Sequence, residues 1–124
     1  MALKDDIYTF LSENTSITSL VPVGQIGWID VDEQAEYPRI IYQMVSAPPL
    51  YESDDQWQRW RFYCFSNLKT ECKEIADALI ALLRGLQDTI GETYVDLIEK
   101  IDESEVTRLE NIYEKYIDFR IIYH

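Results

Sequence analysis

Apolar and polar positions alternate most sharply over Trp57-Gln58-Arg59-Trp60-Arg61-Phe62-Tyr63-Cys64-Phe65, where every second side chain belongs to one face of an extended strand. Trp60, Phe62 and Cys64 fall on one side, and Arg59, Arg61 and Tyr63 on the other. The period then changes. From Lys69 to Arg84 the apolar residues Cys72, Ile75, Ala76, Leu79, Leu82 and Leu83 recur at spacings of three and four, which predicts a helix with one apolar stripe that continues to Leu86. Ser66 and Asn67 stand where an N-cap oxygen is wanted, and Gly85 where a left-handed residue would end the helix.

Upstream, Leu3, Ile7, Phe10 and Leu11 share one face of a short helix over Leu3–Leu11, opposite Lys4, Asp5, Asp6 and Thr9. Asn14-Thr15-Ser16 can cap one further turn that sends Ile17, Leu20 and Val21 inward. Gln25–Val31 reads as a strand, Asp32–Glu36 as a polar turn, and Tyr37–Ser46 as a stronger strand that tolerates Pro38 at its start. Both faces of that strand are partly apolar, as suits an interior position. Ala47–Asp55 contains Pro48 and Pro49, which donate no backbone hydrogen bond, so it reads as a long arm between antiparallel strands.

After the central helix, Thr93–Ile101 has strand composition and Asp102-Glu103-Ser104-Glu105 reads as its turn. Residues 104–115 stay open between a helix and an extended hairpin arm, because Val106, Leu109, Ile112, Tyr113 and Tyr116 have helical spacing but strand-forming side chains. From Tyr116 the alternation is clear: Ile117, Phe119, Ile121 and Tyr123 against Asp118, Arg120 and Ile122. The element order predicts a single α+β domain over residues 1–124. Its expected core is a mainly antiparallel four- to five-stranded sheet, with the N-terminal helix and the central amphipathic helix packed on it.

Composition narrows the function classes. With 47% hydrophobic and 13% aromatic residues the chain of 124 residues is set up to fold. No stretch approaches the ~18 unbroken apolar residues of a membrane span, and the N-terminal residues have no signal-peptide pattern, so the expectation is a protein made and folded in a cytoplasm. There, Cys64 and Cys72 are expected as reduced core thiols. The net charge of −12 disfavours binding to a nucleic-acid backbone.

Candidate chemistry is sparse. His124, the sole histidine, is the last residue, and the four glycines form no phosphate loop. Asp30-Val31-Asp32-Glu33 and Glu52-Ser53-Asp54-Asp55 are the densest carboxylate groups, but neither has the glycine and distal glutamate of a calcium loop. No catalytic, cofactor-binding or metal residues are assigned, and the expectation is a protein that is not an enzyme. Arg59 and Arg61 put two fixed positive charges on one strand of an acidic chain, open to pairing with carboxylates of a neighbouring strand or of another subunit. Trp60 reads as core, whereas Tyr51 and Trp57 are candidate interface anchors.

The phrases Ser19-Leu20-Val21-Pro22, Tyr37-Pro38-Arg39-Ile40-Ile41-Tyr42-Gln43-Met44-Val45-Ser46, Phe62-Tyr63-Cys64-Phe65-Ser66, Glu74-Ile75-Ala76-Asp77-Ala78-Leu79 and Asp118-Phe119-Arg120-Ile121-Ile122-Tyr123 come in this order. Together they resemble the tail terminator, or tail-completion, proteins of long-tailed bacteriophages and prophages. The likeness covers nearly the whole chain and consists of hydrophobic phrases, with no catalytic signature among them. It implies an α+β fold and a structural virion protein that caps the tail tube as a ring, usually hexameric. Such a ring stops tail polymerisation and joins the tail to the head connector. The implied partners are other copies of the chain, the tail tube protein and the head–tail connector protein, with DNA passing through an acidic lumen without specific binding. The implied location is the tail or neck of the virion, after assembly in the host cytoplasm. Leu50, Tyr51, Trp57, Arg59 and Arg61 are then the candidate interface residues. A head-side neck adaptor and an acidic DNA-mimic inhibitor are the competing functions.

Overall fold

The computed structural model describes residues 3–28, 37–46, 56–109 and 112–124. Helix α1 (Leu3–Ser12) turns Leu3, Ile7 and Leu11 into the core, and the single turn α2 (Thr15–Thr18) follows. Asn14 caps that turn, its Oδ1 accepting from the Ser16 backbone N–H at 3.1 Å, and Ile17 and Val21 are buried as the pattern predicts. Strands β1 (Ile26–Trp28), β2 (Arg39–Ser46) and β3 (Gln56–Ser66) precede helix α3 (Lys69–Leu83). Strands β4 (Asp88–Ile90), β5 (Thr93–Leu109) and β6 (Ile112–Tyr123) complete the chain.

The sheet differs from the one expected. It is a single six-stranded sheet in the order β1-β2-β3-β6-β5-β4, mixed in direction, and strands outweigh helices among the described residues. The sixth strand is β4 (Asp88–Ile90), at three residues too short for the sequence pattern to mark, and one strand direction and one polar stretch account for the rest of the difference. The polar turn read at residues 32–36 lies outside the described residues, and against a mainly antiparallel expectation β1 pairs with β2 in parallel, Ile26 opposite Ile40 and Trp28 opposite Tyr42. Taking Asp102–Glu105 as a turn ended a strand that in fact runs on to Leu109. Charged residues are tolerated there because only Thr93–Val95 of β5 pair with β4, and among the described residues the rest of the strand forms a sheet edge. Residues 104–109 and 112–115 accordingly belong to paired antiparallel strands, with Leu109 opposite Ile112.

Both α1 and α3 lie on one face of the sheet, where alternate strand residues form the core. Tyr42, Phe62 and Phe119 run across three adjacent strands with ring centroids 5.8 and 5.6 Å apart, and Ile40, Trp60, Ile117 and Ile121 extend the layer. Cys72, Ile75, Ala76, Leu79 and Leu83 are the buried stripe of α3. Burial of each large side chain contributes about 1.5–3 kcal/mol, so this layer dominates the fold's stability.

Polar contacts fix how the helices sit on that layer. Ser66, foreseen as a cap, accepts from the Leu68 backbone N–H at 3.0 Å and donates to Glu71 Oε1 at 2.6 Å. The cap position itself is held by Leu68. Gly85 takes φ +79°, and its N–H donates to the Ile98 carbonyl at 2.8 Å, tying the helix exit to β5. At the other end, buried Asp6 of α1 accepts from the Glu92 N–H and the Thr93 hydroxyl, docking the helix on the β4–β5 turn. Cys64 and Cys72 are free and buried, and burial pushes the Cys72 thiol up to about 11.

Candidate functional site

Strand alternation sends the other half of the side chains to the opposite face, on which no helix lies among the described residues. The register gives its rungs directly. Arg39, Phe65 and Glu114 form one, and Ile41, Tyr63 and Tyr116 the next. Gln43, Arg61 and Asp118 follow, then Ser46, Arg59 and Arg120, and finally Trp57 beside Ile122. Of the six arginines (Arg39, Arg59, Arg61, Arg84, Arg108 and Arg120), four therefore share this face of an acidic chain.

Asp118 is its centre. The carboxylate is 0% exposed and receives both flanking arginines from β3. Arg61 donates from Nε to Oδ1 at 2.7 Å and from Nη2 to Oδ2 at 3.0 Å. Arg59 donates from Nη2 and Nε to Oδ2 at 2.5 and 3.0 Å. Burial by itself would raise the Asp118 carboxyl, but the hydrogen bonds from Arg61 and Arg59 outweigh it and hold the group below the usual aspartate value. A carboxylate with its lone pairs engaged in this way is a structural anchor and a poor general base.

The arginines are also braced by rings. The Arg61 guanidinium lies 4.2 Å from the centroid of Tyr116, and Tyr63, which accepts from Gln43 Nε2 at 3.0 Å, stands between Phe65 and Tyr116 at 6.1 and 6.2 Å. Arg39 lies over the rings of Tyr37 and Phe65. One rung beyond Asp118, Arg120 lies over Trp57 at 5.1 Å and reaches Glu99 at 3.8 Å. Arg59 and Arg120 stand directly opposite in the ladder, a placement that repels unless the charges are drawn apart. Asp118 draws one and Trp57 with Glu99 the other.

Of the residues singled out by sequence, Arg59, Arg61 and Trp57 meet on this face, and Trp57 is 36% exposed. Leu50 and Tyr51 lie outside the described residues, as do both acidic groups at Asp30–Glu33 and Glu52–Asp55. His124 sits apart, its Nδ1 2.8 Å from Asp96 Oδ2. Among the described residues no group of histidine, cysteine, aspartate or glutamate has an arrangement that could hold a metal ion, and no helix is long and apolar enough to cross a membrane. Sequence reasoning missed Asp118, Arg120, Tyr63 and Tyr116 as members of the site. The available signal was the lone aspartate inside the apolar terminal strand, since such a charge needs a partner when buried.

No known family profile matches the chain, and no curated protein matches it in sequence. Among solved structures, a chain from the virion of a native gene transfer agent particle aligns with a TM-score of 0.76. The alignment covers 98% of this chain and 94% of that chain at 11% sequence identity. At that identity the likeness establishes a shared fold, from one end of the domain to the other.

Proposed function

We propose that this chain is a structural protein of a phage-like virion, and specifically a tail terminator that forms a ring on the completed tail tube. The observation that carries the reading is the end-to-end fold likeness to a virion chain, with neither chain leaving a large unmatched part. The sequence resemblance to tail-completion proteins adds the position within the particle. The candidate surface supports an architectural role: its wholly buried Asp118 carboxylate is locked between two guanidiniums and cannot serve readily as a base.

On this reading the protein is non-catalytic, assembles in the host cytoplasm and remains in the tail or neck of the virion. Its partners are further copies of itself, most simply six, the tail tube protein and the head connector. A net charge of −12 lets DNA pass without being retained.

The test is negative-stain electron microscopy of particles made with the gene inactivated. Overlong or variable tail tubes without heads are the expected result. Tails of normal length left unjoined to heads would move the protein to a neck-adaptor role, and intact particles would overturn the virion reading.

A further inference from the structure

No further inference is drawn: the strongest candidate, the outer edge of β5 beyond Val95, is unpaired among the described residues but carries register shifts and the exposed carboxylates Glu99, Asp102, Glu103 and Glu105, which guard a free edge, and nothing in the structure shows what covers it.

Discussion

Arg61 and Asp118 face each other across the β3–β6 ladder, and the aspartate is wholly buried beneath a guanidinium that remains partly in solvent. Arg59 reaches the same carboxylate from two residues away, so one strand supplies two cations to one anion of its neighbour. The core layer holds the sheet from one side, and this triad holds β3 to β6 from the other.

Removing the anion is therefore costly. Asp118→Asn keeps the shape but leaves two guanidiniums facing a neutral amide, and a loss of about 3 kcal/mol is expected, the low end for a buried pair because both arginines are partly exposed. Urea unfolding measures it. A loss below ~0.5 kcal/mol would show that the triad is peripheral.

The same pairing sets an acid dependence. Asp118 is held below its ordinary value when folded, so its contribution is fully present above the unfolded aspartate pKa of ~3.9 and is lost as pH falls through the lower folded value. Unfolding free energy measured from neutral pH downward should fall more steeply in wild type than in Asp118→Asn below ~4. Parallel curves would contradict it.

Gly91 has φ +57°, and a Cβ there would overlap the Asp6 carboxylate that docks α1. Gly91→Ala combines a left-handed penalty with displaced hydrogen bonds and should cost about 2–4 kcal/mol. Gly24→Ala, where an added Cβ meets nothing within 4 Å, is the matched control and should change stability by less than ~0.5 kcal/mol.

The two thiols should be inert in the folded protein. Cys64 is 0% and Cys72 3% exposed, and burial raises both thiols above their ordinary range. Maleimide at pH 7 is expected to leave both unmodified within an hour and to label both in denaturant. Rapid labelling without denaturant would mean that α3 separates readily from β3.

Local pattern carried much of the fold because the elements that pack on the core have one wet and one dry side. Cys72, Ile75, Ala76 and Leu79 announce α3, and Trp60, Phe62 and Cys64 announce the buried side of β3, before any contact is known. Asn14 and Gly85 were legible for a similar reason: each answers a local backbone requirement, a capping acceptor at Asn14 and a left-handed φ at Gly85. On the candidate surface, Arg59 and Arg61 stood out as paired cations, yet their shared anion did not. Asp118 lies 57 residues from Arg61 in sequence, and only the β3–β6 register places them side by side.

The sequence by itself determined the periods, the two packing helices, the cysteine environment and the acidic character, since each is a property of neighbouring residues or of their sum. Tertiary structure alone decided the parallel β1–β2 pair, the passage of β5 through Asp102–Glu105 and the gathering of four arginines on one face. Strand direction and register depend on which distant backbone supplies the hydrogen bonds, and a charged stretch is a turn or an edge strand according to whether a neighbour such as β6 lies along it.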